Sequence, residues 1–351
     1  MEKVLMKGNE ALAEGALTAG CVAFFGYPIT PSSEIAEYMA RKFPLLGGTF
    51  VQAESELAAI NMVYGGASTG ARVMTASSGP GISLKSEGIS FISEAELPCL
   101  IVNISRGGPG LGGIQPAQSD YWQATRGGGH GDYHIMVLAP SSVQEMLDFA
   151  MDAFDLADKY RIPVMIMAEG TLGQMMEPVI PRAKVTHFID KPWAVNGCKG
   201  RAPNVVNTLH LSPEFLEHRN HVLGEKYSLI KANEQKAATF LTEDADLVVV
   251  AFGLMSRIVK KAIMEVRKKG HKVGLIRPIT LWPFPEEEIR NAAQSAKMFL
   301  AVEISMGQMI DDVRLAVNGK VPVEFYGRIG MIPSPEEIAG QIIMLAEREG
   351  F

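Results

Sequence analysis

Two α/β units, a doubly wound parallel sheet followed by a smaller unit, are predicted by three features of the sequence. Short apolar runs recur at 21–27 (CVAFFGY), 98–104 (PCLIVNI) and 162–168 (IPVMIMA). They are nearly continuous rather than alternating, the mark of strands covered on both faces. Helix-length patterns separate them, as parallel crossover units require. The chain of 351 residues, 47% hydrophobic and 21% charged, is long enough for two domains with sizeable cores.

The elements follow in order. The Ala-rich stretch 8–18 reads as a helix ending near Gly20, and 21–27 as a buried strand. Thr30 is placed to cap a helix with Pro31 at its first position. A strand at 49–53 leads to a helix over 56–64, stopped by Gly65-Gly66. A strand at 72–76 and a Ser-Ser-Gly-Pro-Gly turn precede a helix over 82–94. Strands at 98–104 and 135–138 come next, and Ser142 with Glu145 has capping-box spacing for a helix ending near Tyr160. A strand at 162–168 completes about six in the first sheet.

From 170 to about 235 the pattern dissolves, punctuated by Pro178, Pro181, Pro192, Pro203 and Pro213. The histidines His187, His210, His218 and His221 lie there. The reading is a first domain over 1–170, a connecting arm over 171–238 and a second domain over 239–351. In the second domain, strands at 246–252, 272–276, 298–304 and 321–326 alternate with helices at 256–269, 286–296, 308–317 and 334–348. That predicts four strands.

Composition excludes several classes. Lys+Arg 33 against Asp+Glu 39 gives a net charge of −6, which argues against a general nucleic-acid binder. The first residues lack the apolar core of a secretory signal, and no run approaches the ~20 residues of a membrane span. Cys21, Cys99 and Cys198 are scattered, with no C-x-x-C pair, so this chain alone is not expected to hold an iron–sulfur cluster. Few cysteines and no export signal fit a cytoplasmic protein. No P-loop is present. A G-x-G-x-x-G at 108–113 is followed by Gln115-Pro116 instead of an apolar helix, which discounts a dinucleotide site. The His130–His134 cluster lacks a third ligand, so no metal is assigned, and the 19 methionines read as core filler.

Three places carry chemistry. The segment 26–33 (GYPITPSS) leaves a buried strand and turns into a helix start, where free N–H groups and hydroxyls suit a carboxylate. Glu56 opens the next, Ala- and Gly-rich helix, where a buried carboxyl suits acid–base work. Arg106 stands at the base of a mobile glycine loop, placed to pair with a substrate carboxylate. Ordinary capping, a helix-dipole partner and a surface salt bridge are the competing readings of the same residues in isolation.

Longer segments add a resemblance. GNEALAEGALTAGCVAFFGYPITPSSEIAEYM, QAESELAAINMVYGGASTGARVMTASSGPGISL and ELPCLIVNISRGGPGLGGIQPAQSDYWQATRGGGHGDY are similar to the alpha-type subunits of 2-oxoacid:ferredoxin oxidoreductases. So are APSSVQEM, RPITLWPFP, VEISMGQMIDD and GRIGMIPSPEEI. Within the family, AESE and GGPGLGGIQP resemble the branched-chain enzymes, with the 2-oxoglutarate enzymes as near relatives. The resemblance implies a pyrimidine-binding thiamine-diphosphate fold domain and a transketolase-C-terminal-like domain. It implies an enzyme, active only as a hetero-oligomer, that turns a 2-oxoacid, CoA and oxidised ferredoxin into acyl-CoA, carbon dioxide and reduced ferredoxin. A beta-type subunit would hold the pyrophosphate and Mg2+, and ferredoxin-like and gamma-type subunits complete the assembly. The [4Fe-4S] clusters sit on partners, and external ferredoxin takes the electrons. The absence of Gly-Asp-Gly, the start of the pyrophosphate motif, agrees with that division.

The resemblance also implies roles. Glu56 matches the carboxylate that hydrogen-bonds the aminopyrimidine ring nitrogen and so promotes loss of the thiazolium C2 proton. Thr30 matches the threonine that contacts the oxoacid carboxylate, and Arg106 the arginine of the same pocket. Tyr27, Pro28, Ile29 and the 107–113 loop would shape it, Tyr27 on the cofactor side. Glu54 would be turned about 200° from Glu56 along a helix. A branched substrate needs an apolar wall and 2-oxoglutarate a further cation, for which Arg126 is the only other candidate. A non-catalytic partner subunit is the reading from a different class.

Overall fold

The computed structural model describes residues 2–350. The chain opens with strand β1 (Val4–Lys7), helix α1 (Gly8–Thr18), β2 (Ala23–Gly26), α2 (Ser33–Leu46), β3 (Thr49–Gln52) and α3 (Glu56–Ser68). Next come β4 (Val73–Ser77), α4 (Gly79–Glu94), β5 (Cys99–Gly107), β6 (Gly113–Pro116), α5 (Tyr121–Arg126) and β7 (Met136–Leu138). Helix α6 (Val143–Tyr160), β8 (Pro163–Glu169), α7 (Gly170–Gln174), β9 (Met176–Val179) and α8 (Pro213–Asn233) lead to the second unit. That unit holds β10 (Ala237–Phe240), β11 (Leu247–Val250), α9 (Gly253–Lys268), β12 (Val273–Pro278) and β13 (Thr280–Trp282). It ends with α10 (Glu286–Ala292), β14 (Met298–Glu303), α11 (Met309–Val317), β15 (Val323–Gly327) and α12 (Pro335–Glu349).

An eight-stranded sheet runs in the order β13-β7-β8-β5-β4-β2-β3, with β6 attached to β5. Strands β2, β3, β4, β5, β7 and β8 are all parallel. Residues 99–105 of β5 are wholly buried, which is why that run is apolar. The second sheet has five strands, β10-β12-β11-β14-β15, one more than expected, because the short antiparallel β10 joins its edge. Strand β13 leaves the second unit and pairs antiparallel with β7, Thr280 opposite Leu138. Arg277 of β12 forks onto Glu145 of α6 at 2.7 and 2.8 Å, binding the same two units. Among the described residues, no helix is long and apolar enough to cross a membrane.

Four local expectations change. Helix α3 does not stop at Gly65-Gly66 but runs to Ser68; Gly66 is a packing glycine, whose added Cβ would lie 3.1 Å from Phe25 and Val73. Thr30 is not the cap of α2. Residues 29–32 turn first, with Ser32 N and Oγ donating to the Ile29 oxygen at 3.0 and 2.9 Å, and Ser32 takes the cap position. The 107–113 glycines form the tip of the β5–β6 hairpin, with Gly107 opposite Gly113, instead of a loose loop. The arm contains α8, a helix of 21 residues. Only Leu223, Tyr227 and Ile230 of it are buried, a seam too narrow to read as helical periodicity.

The arm is anchored by charge as well. Lys191 Nζ lies 2.5 Å from Asp158, which also receives Arg72 Nε at 2.9 Å, all three side chains largely buried.

Candidate active site

Thr30, Glu56 and Arg106 all lie just beyond or at the carboxyl ends of strands β2, β3 and β5 of the first sheet. From β2 the chain moves outward through α2 to β3, then returns through α3 to β4 on the other side and continues to β5. The loops after β2 and β4 therefore part in opposite directions and leave a crevice, the place where open α/β sheets bind ligands.

Glu56 is the first residue of α3 and is 6% exposed. Ser55 caps the helix, its Oγ accepting from Ala58 N at 3.1 Å. Glu54 is exposed and lies before the helix, with the cap Ser55 extended, so the two acids separate because only Glu56 enters α3 and not through the helical angle expected from the sequence. The Glu56 carboxylate packs on the start of α4. A Cβ added to Gly81 would lie 2.6 Å from Glu56 Oε1 and collide with Ser77 Oγ. Among the described residues no hydrogen bond reaches that carboxylate; the donor at Glu56 is Lys85 Nζ, 3.4 Å from its backbone oxygen.

Arg106, at the end of β5, reaches the turn after β2. Its Nη1 donates to the Thr30 oxygen at 2.9 Å and Nη2 to the Leu111 oxygen at 3.0 Å, while Nε is buried without a partner. It forms no ion pair among the described residues, so the surface salt bridge is not its role. Thr30, Tyr27 and Pro28 are exposed and Ile29 is half-buried, lining the approach to Arg106. The turn is held from behind by Asn9, fully buried, whose Nδ2 donates to the Pro31 oxygen at 2.8 Å and to Glu34 at 2.9 Å.

Several polar groups were not singled out from the sequence. Ser77 Oγ and Ser78 Oγ, at the end of β4, and Asn103 Oδ1, in the middle of β5 opposite Ser77, are buried and unpartnered. Asp120 receives Asn103 Nδ2 at 3.0 Å and Ser105 Oγ at 3.2 Å. Burial raises its carboxyl above the usual range, against the pull of those bonds and of Arg106. Lys85 is wholly buried in α4; burial pushes its amine down to about 8, opposed by the charge of Glu56. Glu169 ends β8 and meets the start of α9, accepting from Leu254 N at 3.2 Å and from Gln118 Nε2 at 2.5 Å. Burial pushes it up to about 7 despite those bonds. A lysine or glutamate inside a mixed helix or at a strand end carries no pattern that separates it from a surface residue.

His134 is engaged by aromatic rings. It stacks on Trp282 at 4.6 Å and meets Tyr227 edge-on at 5.2 Å. Arg126 lies away from the crevice, 3.4 Å from Asp312 and 3.8 Å from Asp311.

Comparison with known proteins covers both units. The family model described as "Pyruvate flavodoxin/ferredoxin oxidoreductase, thiamine diP-bdg" matches residues 14–235. "Pyruvate:ferredoxin oxidoreductase core domain II" matches residues 245–338. The chain is 54% identical over 331 residues to the ketoisovalerate oxidoreductase subunit VorB of Methanothermobacter marburgensis, across 94% of each chain. It is 38% identical over 387 residues to the 2-oxoglutarate synthase subunit KorA of Methanothermobacter thermautotrophicus, across 98% of this chain and 99% of the relative. The solved 2-oxoglutarate:ferredoxin oxidoreductase of Magnetococcus marinus, with 2-oxoglutarate, coenzyme A and succinyl-CoA bound, matches with a TM-score of 0.89 at 29% identity. That match covers 98% of this chain and 65% of the other. A split-gene transketolase chain shares the fold alone, at a TM-score of 0.61 and 13% identity. With both units matched and relatives this similar over nearly the full length, the chain belongs to the pyruvate flavodoxin/ferredoxin oxidoreductase family, whose matching model is a thiamine-diphosphate-binding one.

Proposed function

We propose that this chain is the alpha-type subunit of a ferredoxin-dependent oxidoreductase that decarboxylates a branched-chain 2-oxoacid to an acyl-CoA. The observation that carries the site is Glu56: a residue 6% exposed whose carboxylate meets no hydrogen-bond donor among the described residues, close to the unpartnered Ser77 and Ser78 hydroxyls. A carboxylate on a largely buried side chain with no donor from its own chain is free to bond a ligand. These residues fit the aminopyrimidine half of thiamine diphosphate. Thiamine diphosphate supplies, when bound, a carbon acid that adds to a 2-oxo carbon and takes up the electrons released by decarboxylation.

This chain's residues would do the rest of their half. Glu56 would hydrogen-bond the aminopyrimidine ring nitrogen, favouring the tautomer in which that nitrogen carries a proton, and would hold the ring beside the start of α4. Thr30 offers its free hydroxyl to the substrate carboxylate, and Arg106, whose fork is fixed by the Thr30 and Leu111 oxygens, supplies the positive charge beside it. Tyr27, Pro28, Ile29 and the exposed Leu111 give the side chain an apolar approach. With Arg126 engaged by Asp311 and Asp312, the candidate second cation among the described residues is already paired, which supports a branched-chain substrate over 2-oxoglutarate.

The partners follow from what the chain lacks. A beta-type subunit holds the pyrophosphate and Mg2+, other subunits carry [4Fe-4S] clusters, and CoA and external ferredoxin complete the reaction in the cytoplasm. Exposed Tyr27, Leu57, Leu84, Leu111 and Ile114 follow the strand ends around the crevice, a rim suited to such a partner. The proposed limits are a pyrimidine-binding domain over 1–170, the arm over 171–238 and the transketolase-C-terminal-like domain over 239–351.

The test is ferredoxin reduction by the co-purified complex with a panel of 2-oxoacids. We expect 3-methyl-2-oxobutanoate to give the highest kcat/KM; a preference for 2-oxoglutarate would overturn the branched-chain assignment. Glu56→Gln is expected to lower the rate by at least about 100-fold, and a near wild-type rate would remove Glu56 from the mechanism.

A further inference from the structure

Helices α3 and α4 meet along a stripe of α4 that carries Gly81, Lys85 and Gly88. The two glycines bring the helices close: a Cβ on Gly88 would lie 2.5 Å from Ile60 Cγ2, and one on Gly81 would lie 2.6 Å from Glu56 Oε1. Between them stands the one long side chain of the stripe, and it is a lysine with no exposed surface. Its ammonium has three protons to donate, yet the contact it makes is a single long one, 3.4 Å to the Glu56 oxygen. An apolar residue would fill this position without the cost of burying a charge, and a lone buried ammonium is tolerated only near an anion. Lys85 forms no ion pair within 4.0 Å among the described residues; the carboxylate of Glu56, the residue whose backbone oxygen it reaches, acts on it at longer range and counters the effect of burial.

We propose that Lys85 is a positioning residue for Glu56: its ammonium pins the first turn of α3 through the Glu56 carbonyl and sets a positive charge behind the carboxylate. The carboxylate then faces the crevice in one orientation as an acceptor. This inference rests on the proposed role of Glu56, and it goes beyond it by naming the group through which α4 controls that role. Lys85, being wholly buried, touches neither substrate nor cofactor.

The experiment is a double-mutant cycle on the complete complex: wild type, Lys85→Met, Glu56→Gln and the pair. The readouts are kcat, the KM for 3-methyl-2-oxobutanoate and the melting temperature. Lys85→Met is expected to lower kcat about 10- to 100-fold, short of the loss expected for removing the proton acceptor itself, with KM changed less than about 2-fold. The double variant is expected to be no slower than Glu56→Gln, because a residue that acts through Glu56 has nothing left to act on. Glu56→Gln removes the negative charge that counters burial of the ammonium, so its melting temperature should fall, and adding Lys85→Met should restore it.

A Lys85→Met complex with wild-type kcat, beside an inactive Glu56→Gln, overturns this inference and leaves the site reading intact. Losses that multiply in the double variant overturn it as well, since they mark a purely structural residue. An active Glu56→Gln overturns the site reading and this inference with it. If Lys85→Met does not assemble, Lys85→Gln, which keeps a donor but not the charge, is read by the same criteria.

Discussion

Arg106 Nη1 donates to the carbonyl oxygen of Thr30 at 2.9 Å and so ties the end of β5 to the turn after β2. Its second nitrogen holds the hairpin tip at Leu111, so one guanidinium sets the distance between two walls of the crevice. A lysine is a single point charge and cannot span both oxygens. Arg106→Lys is therefore expected to raise the KM for the 2-oxoacid about 10-fold, an effect of roughly 1.4 kcal/mol, with little change in melting temperature. An unchanged KM in steady-state assays would remove Arg106 from the substrate site.

Thr30 separates binding from folding. Its side chain is exposed, and its hydroxyl makes no hydrogen bond among the described residues. Thr30→Val keeps the shape and deletes that hydroxyl. The expected outcome is an unchanged melting curve and a KM raised roughly 5-fold, the worth of one hydrogen bond at about 1 kcal/mol.

Gly81 gives a test with an unusual sign. Glycine to alanine inside a helix ordinarily stabilises, by about 1 kcal/mol. Here the added Cβ would collide with Ser77 Oγ and press on Glu56 Oε1 at 2.6 Å. Gly81→Ala should instead cost about 1–3 kcal/mol, the usual range for overpacking, and weaken thiamine diphosphate binding by the complex. Thermal melting and calorimetry read the two effects separately.

Glu169 makes the junction between the units sensitive to pH. Its carboxyl rises from 4.5 to about 7 because it is buried where β8 meets α9. The folded chain therefore holds this proton more tightly than the unfolded one. The stability it contributes is complete below about 4.5 and is lost as pH climbs through about 7, an effect of about 3 kcal/mol. Melting temperatures between pH 5 and 8 should fall with pH in the wild type and flatten in Glu169→Gln. Lys85, with its amine lowered to about 8, acts in the opposite sense and only above that window. Equal slopes for wild type and variant would show that the Glu169 proton is not linked to folding.

The isolated chain has no Gly-Asp-Gly motif to hold a pyrophosphate. Calorimetry on the chain alone should detect weak thiamine diphosphate binding or none, with tight binding appearing once the beta-type subunit is added. Tight binding by the chain alone would contradict the shared site.

The strands that are legible in the sequence are those buried on both faces. β5 and β8 read as apolar runs because helices cover them above and below. The strands β1, β6, β9, β10 and β13 are at most four residues long. They lie in ribbons, hairpins and edges, where solvent or a second element sets the residue type. Helix α8 was hidden for a related reason, since Leu223, Tyr227 and Ile230 are its only buried residues. Glu56 was legible because a helix start after a strand end is a place where chemistry is done. Asp120 and Gln118 were not, because the hairpin that delivers them has no periodicity of its own.

By itself the sequence determined the alternation of strands and helices, the strand ends at which Thr30, Glu56 and Arg106 stand, and the absence of cluster and pyrophosphate motifs. Those are local matters, decided by apolar pattern, caps and residue type within a few positions. Tertiary structure alone decided that Arg106 holds the Thr30 turn, that Lys85 is buried behind Glu56 and that Glu169 is sealed between two units. Each joins residues far apart in the chain, and burial of a charge depends on what packs over it: the glycine stripe of α4 in one case, the start of α9 in the other.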